Sequence, residues 1–259
     1  MSLDFSSITG SVNFLLAGAA YTFELTAITA VLGLALGTLL ALARLSTVKW
    51  LSYIAKLYID LMRAVPLVLV LFWFFLLMPE VLKIAFGLDH PVMIGANLTA
   101  IITFVLFEAA YFAEIMRAGI QSIGRGQFFA ATGLGLTYGQ TMRYVILPQA
   151  IKNILPAIAN EFVTIIKESA ICYTIGVQDI MSVVNSVKGA TYRMGEALII
   201  ATVLYFCLTY PTSKVIEHFE KKMSVGDRRN GDGGSRKKAK AEQILTEQER
   251  SASTLGKGG

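Results

Sequence analysis

The chain has 259 residues, of which 54% are hydrophobic and only 16% charged, and its mean hydropathy is +0.59. A soluble domain is about one quarter charged, so the composition excludes an ordinary soluble globular protein and indicates one bilayer-embedded domain. The net charge of +5 is concentrated in Lys221, Lys222, Arg228, Arg229, Arg236, Lys237, Lys238 and Lys240. No aromatic residues interleave with these cations, which argues against nucleic-acid binding and for a solvated tail near anionic lipid.

Residues 1–11 lack the basic start of a cleavable signal peptide. They are expected to be a short external segment before a retained first span. A helix needs about 20 apolar residues to cross the hydrocarbon core. The first run of that size is Leu25 to Ala43, beginning several residues earlier. A second is expected over Tyr53 to Met78, with Lys56, Asp60 and Arg63 in its first turns and a kink at Pro66. Asp60 and Arg63 are three apart and are expected to pair. Arg63 is expected to brace the kinked second helix.

The third span, Val92 to Arg117, carries Glu108 and Glu114. Glu114 and Arg117 are three apart, so they share a helix face and can pair. Glu108 lies deeper and is a candidate either to line a path or to brace a neighbouring helix. Intramembrane charges are expensive and face protein or water rather than lipid.

Between the third and fourth spans lies a segment too polar and glycine-rich to be a span. Gly124 to Gly126 read as a turn. Gln127 to Leu134 can form two short helical turns, with Phe128, Phe129 and Leu134 as partly exposed apolar groups fit for a protein groove. Gly133 and Gly135 allow a sharp stop and a close backbone approach. Helix is expected to resume from Thr137 to Tyr144, and Pro148 and Pro156 mark bends on re-entry. The alternative is a connector helix that merely lies on lipid.

The fourth span, Ile154 to Ile175, contains Glu161, Lys167 and Glu168. The two acids are seven apart and share nearly one face, making this a candidate water-lined surface. A buried glutamate repels an anionic substrate, which leaves Lys167 as the candidate to attract a carboxylate. The alternative is an internal Lys–Glu pair. The fifth span is Ala197 to Phe219. Residues 221–259 have too few apolar residues to bury a core and are expected to be a disordered basic cytoplasmic tail.

Five spans put the termini on opposite sides. Arg44, Lys49, Lys56, Arg117, Arg125, Arg143, Lys152 and the tail fall on one side; Lys83, Lys188 and Arg193 fall on the other. The positive-inside rule therefore puts the N-terminus outside, with the loop and the C-terminus in the cytoplasm. Cys172 and Cys207 lack a CxxC partner and read as small hydrophobes. His90 and His218 have no second histidine at ligand spacing, and no catalytic constellation can be assembled, so neither catalytic nor metal residues are expected. The chain has no phosphate-binding loop of the form GxxxxGK[ST] and cannot itself hydrolyse ATP.

Phe129-Ala130-Ala131, then Gly135, then Ile146-Leu147-Pro148 resemble the cytoplasmic EAA loop of the permease subunits of type I ABC importers. Phe129 stands where that family most often has glutamate. Met62-Arg63-Ala64-Val65-Pro66-Leu67, Tyr111 to Gln121 and Met142 to Gln149 extend the resemblance to the polar amino acid permeases, over 12–220. The stretch Glu114 to Ser122 is most similar to the glutamate/aspartate permeases.

The resemblance implies an all-α integral membrane protein. It has five transmembrane helices and a cytoplasmic coupling helix between helices three and four. It implies a permease domain at 12–220 in the bacterial inner membrane. The implied partners are an ATPase subunit dimer that binds the ATP, a second permease subunit of paralogous sequence, an extracytoplasmic amino-acid-binding protein and membrane lipid. Gln127, Phe128, Phe129, Ala130, Ala131 and Gly135 would couple to the ATPase through packed volume rather than charge. Arg63, Glu108, Glu161 and Lys167 are the candidates for the path. The implied cargo is glutamate or aspartate; glutamine or a basic amino acid is the alternative. A stand-alone secondary transporter is disfavoured because no internal repeat is visible.

Overall fold

The computed structural model describes residues 12–191 and 194–218. The external segment expected at 1–11 and the tail expected at 221–259 lie outside the described residues. The chain divides after Lys214, and the packing below concerns the residues up to it. Every regular element among the described residues is helical.

Helix α1, Val12–Arg44, is apolar on all sides. Helix α2, Lys49–Ala64, is amphipathic, and α3 runs over Leu67–Phe86. Helix α4 is Ala96–Gln121, α5 is Arg125–Gly133, and α6 runs over Tyr138–Ile175. Helix α7, Ile180–Thr191, and helix α8, Met194–His218, complete the chain. Helices α1, α3, α4 and α8 are each long and apolar enough to cross a membrane, and α6 with α7 is apolar enough as a pair bent by 49°, a broken span or a re-entrant loop.

The second span begins later than expected. Pro66 removes a backbone N–H and disfavours helical geometry at the residue before it. Val65 is accordingly extended, at φ −106° and ψ 137°, and α2 ends at Ala64. The charged Lys56, Asp60 and Arg63 thus fall on a separate helix, and the span is Leu67–Phe86 rather than Tyr53 to Met78. The fourth span also differs. Pro148 sits in the first turn of the stretch Leu147–Glu168, where its missing N–H costs little, and Pro156 lies within it. The helix therefore runs unbroken through the expected bends and stops at Gly176, whose φ of 87° is left-handed.

The fold is organised by the α1–α4 contact, the most extensive helix pair. Helix α1 presents a stripe of small residues, including Thr22, Thr26, Thr29, Ala30, Gly33, Gly37 and Ala41. Helix α4 answers with Ala109, Ala110 and Ala113, all fully buried. Small residues let helix backbones approach closely in a bilayer, where no hydrophobic drive holds helices together. The approach is closest at Gly37: a Cβ there would stand 2.6 Å from Phe112 Cβ and 2.8 Å from the Ala109 carbonyl oxygen. Around this seam Leu25, Val70, Leu71, Phe104, Phe107, Phe112 and Ile165 form the main core. Helices α3 and α8 are mostly exposed.

Gly37→Ala should separate this seam and destabilise the protein by about 1–3 kcal/mol, read as a lower melting temperature in detergent. Gly139→Ala, with nothing within 4 Å of the added carbon, should be neutral or slightly stabilising.

Candidate functional site

Three charged or exposed features sit on the α4–α6 framework. The deepest is a cluster of carboxyl groups. Glu108, on the middle of α4, is 1% exposed. Glu161 and Glu168, both from α6, are near enough to bear on it electrostatically. One carboxylate oxygen each of Glu108 and Glu168 is buried without a hydrogen-bond partner. The cations that bear on the cluster at longer range are Arg63, on Glu161, and Lys167, on Glu168. Lys167 itself is exposed. The seven-residue spacing on α6 was visible in the sequence; its convergence on Glu108 was not, because it depends on how α4 and α6 pack.

The second feature is an ionic hub near the C-terminal end of α4. Glu114 accepts hydrogen bonds from Arg44 Nη1 at 2.7 Å and from Arg117 Nε at 3.0 Å. Arg117 Nη2 completes a bidentate pair with Glu114, and its Nη1 donates to Gln121. Arg63 stands farther off, 3.8 Å from Glu114. The pair Glu114–Arg117 follows its i, i+3 spacing. Arg63 and Asp60 do not pair as expected: Asp60 is 3.9 Å from Arg44, and Arg63 turns to Glu114 with its guanidinium over the Tyr111 ring, 5.6 Å from the centroid. Helix α2 packs against α4 through Ile59, and Tyr58 Oη donates to the Leu106 carbonyl at 2.7 Å, which carries Arg63 towards α4. Arg44 escaped the sequence reading, since it lies 70 residues from its partner.

The third feature is the loop between α4 and α6. Gln127 to Gly133 lie on α5, and Ala131 is its buried residue. The Leu136 N–H donates to the Ala131 carbonyl at 3.2 Å and the Gly135 N–H to the Thr132 carbonyl at 2.9 Å. This is a Schellman ending, which calls for a left-handed residue; Gly135 supplies it at φ 83°. Within the chain nothing lies within 4 Å of a Cβ built at Gly133 or Gly135. Here Gly135 serves through its backbone angle. Phe128 is half-buried against the Tyr138 ring, at 6.0 Å. Phe129 and Leu134 stand out at 66% and 82% exposure. A capping box joins Thr137 and Gln140 and restarts the helix at Tyr138. The stems of the loop are tied together: Asn153 Nδ2 donates to Ser122 Oγ at 2.9 Å, and Gly119 packs on Ile154.

Comparison with known proteins identifies the family and the fold. A family described as "binding-protein-dependent transport system inner membrane component" matches residues 33–225. The chain is 39% identical over 231 residues to the arginine transport system permease protein ArtQ of Bacillus subtilis (strain 168), covering 88% of this chain and 100% of that one. It is 34% identical over 219 residues to the glutamate/aspartate import permease protein GltK of Escherichia coli O157:H7, covering 85% and 97%. A crystal structure of an amino acid ABC transporter with histidines superposes with a TM-score of 0.78 at 36% identity, over 86% of this chain and 100% of that one. The methionine transporter MetNI, in an inward-facing form, shares the fold, with a TM-score of 0.60 at 20% identity.

Glu114→Gln should leave Arg44, Arg63 and Arg117 competing for a neutral amide. The hub is partly solvated, so the cost should fall between that of an exposed and a buried pair, at about 2 kcal/mol. It is measurable as a lower melting temperature in detergent at low salt.

Proposed function

The chain belongs to the inner-membrane-component family of binding-protein-dependent transport systems and is a permease subunit of an amino-acid ABC importer, and we propose that its cargo is a cationic amino acid. The carboxyl cluster of Glu108, Glu161 and Glu168 carries this reading. A carboxylate brought within about 4 Å of another is repelled by roughly 4 kcal/mol at an effective dielectric of 20, and an ammonium or guanidinium is attracted by as much. Three acids from facing helices thus favour an arginine or lysine side chain over the glutamate or aspartate that the Glu114 to Ser122 stretch implied. The arginine permease relative supports the choice. Lys167, exposed and beside Glu168, would then tune the rim of the site rather than bind a substrate carboxylate.

The ATP is bound by the partner ATPase subunits. We infer that those subunits grip α5 from the cytoplasm, with Phe129 and Leu134 filling the groove and Gly135 setting the exit of the chain. The orientation with the N-terminus outside is supported by the structure's placement of charge. Arg44 at the end of α1 meets Glu114 near the end of α4, so Arg44, Arg117 and the loop share one side of the membrane. A chain that transported alone, without an ATPase partner, would be a secondary transporter, and uptake by the isolated permease in liposomes would overturn the importer mechanism.

Two measurements test these assignments on the assembled transporter. In proteoliposomes, Glu108→Gln and Glu161→Gln should each lower the affinity for arginine at least about tenfold, the equivalent of about 1.4 kcal/mol. Faster glutamate uptake than arginine uptake by the wild type would sink the proposed cargo. Gly135→Val forces a β-branched residue into a left-handed angle at a cost of roughly 1–2 kcal/mol. It should leave membrane insertion intact and abolish substrate-stimulated ATP hydrolysis; unchanged stimulation would defeat the docking assignment.

A further inference from the structure

The outward face of α6 differs from those of α3 and α8. Over Leu147–Glu168 one side of α6 is apolar: Ile154, Ile165 and Ile166 are buried, and Ile158 and Phe162 pack against the main core. From Asn153 to Glu168 the exposed residues are Asn153, Ala157, Asn160 and Lys167, with the half-buried Thr164 between the last two. Successive members are four, three, four and three residues apart, so they form one stripe along the helix. At 1.5 Å per residue the stripe is roughly 21 Å long, about two-thirds of the hydrocarbon thickness. Asn160 and Lys167 immediately precede Glu161 and Glu168, so the acids border the stripe.

Lipid does not suit this face. An amide or hydroxyl without a partner in hydrocarbon is costly, and a lysine is costlier still. Among the described residues the Asn160 side chain has no hydrogen-bond partner, and Thr164 Oγ1 donates to the Asn160 carbonyl at 3.2 Å. The exposed faces of α3 and α8 are mainly apolar instead, with Leu69, Trp73 and Leu76 on the first and Leu198, Val203 and Phe206 on the second. Nor is the stripe built as a helix–helix seam. The α1–α4 seam of this chain uses Gly33, Gly37, Ala41, Ala109 and Ala113, small residues that let backbones meet. The longer side chains of Asn160 and Lys167 would hold a facing helix off. Water satisfies all of these groups. The stripe also leads somewhere: Asn153, its first member, lines a cleft of about 410 Å³ together with Ser122, Gly124, Gly126, Gln127 and Gln149. That cleft lies between the stems of the loop, at the start of α5.

We propose that the stripe from Asn153 to Lys167 is a wall of the aqueous path, and that the path empties through the cleft at the foot of α5. The proposal rests on the orientation with the loop in the cytoplasm and not on the choice of cargo. Amides and hydroxyls both donate and accept hydrogen bonds, so the wall can pass the ammonium and the carboxylate of an amino acid while the bordering acids discriminate by charge. It also places the exit where the ATPase grips, so a displacement of α5 reshapes the exit directly.

The test is cysteine labelling of the assembled permease–ATPase complex in inverted and right-side-out membrane vesicles, with and without ATP. The reagent is a charged, membrane-impermeant methanethiosulfonate, and the background is Cys207→Ala, because Cys207 is exposed and Cys172 buried. Ala157→Cys, Asn160→Cys and Thr164→Cys should react from the cytoplasmic face, in one nucleotide condition or the other, at least about tenfold faster than Leu198→Cys and Val203→Cys, since a thiol in apolar surroundings keeps its proton. Ala157→Cys adds one sulfur at an exposed position and tests the wall even where the polar variants fail to assemble. Gly139→Cys, in the loop with open space around it, reports the orientation. Stripe positions no more reactive than those of α8 in both conditions, with Gly139→Cys labelled from the cytoplasmic face, overturn the proposal. So does labelling of the stripe from the outer face alone. Labelling of Gly139→Cys from the outer face alone overturns the orientation, and the exit with it.

Discussion

The close contact of α1 with α4 is the constraint on which the other features depend. At Gly37 the two helices leave no room for a single carbon, and at Gly33 a Cβ would already touch Glu108 Cβ at 3.5 Å. That approach sets the register of the two helices. It brings Arg44, the last residue of α1, to Glu114. It also buries Glu108 at the level where α6 supplies its own two acids. A bilayer gives little reward for burying apolar side chains against one another, so the packing of small residues must hold these helices. The polar features are placed by that packing and do not create it.

Much of this was legible in the sequence because it is local. The presence of long apolar helices and the Glu114–Arg117 pair follow from runs and spacings within one helix. The helix at 125–133 and its stop at Gly135 follow from glycine placement, and the EAA-like pattern pointed to the family. Where the reading missed, the determinant was either a single backbone residue or a distant one. Val65 takes an extended geometry before Pro66 and moves the second span by more than three turns. Arg44 reaches Glu114 across 70 residues. Glu161 and Glu168 shared a face on paper, but only the packing of α6 on α4 shows that they share it with Glu108. The nine-residue likeness that suggested the cargo, Glu114 to Ser122, falls on the hub and the stem of the loop rather than on the carboxyl cluster.

The charges are segregated along the path. The hub near the C-terminal end of α4 holds arginines in excess over acids: Arg44, Arg63 and Arg117 against Glu114 and Asp60. The interior holds acids in excess. On the proposed reading, a cationic amino acid drawn inward by Glu108, Glu161 and Glu168 would meet a positive barrier at the hub. Screening is weak inside a membrane protein, so that barrier would be substantial. A shift of the helices that carry the arginines would lower it and so tie passage to a change of shape.

The loop and the carboxyl cluster are joined by the same two helices. Helix α4 carries Glu108 and ends one residue before Ser122; α6 carries Glu161 and Glu168 and holds Asn153, which bonds to Ser122. Any pull on α5 reaches both stems, and the Ser122–Asn153 bond with the Gly119–Ile154 contact makes the stems move as a unit near the loop. Farther along, α6 tightens into a 3-10 turn at Ser169–Ile175 and ends at Gly176. On the proposed reading, a displacement of the loop carried through these stems would change the spacing of the acids. Widening that spacing weakens their joint hold on a cation, since each Coulomb contribution falls with distance. On this geometry ATP-driven movement of the loop would lower the affinity of the site directly, and the unusual Phe129 would suffice in place of an acid, because what has to be transmitted is a displacement and not a charge.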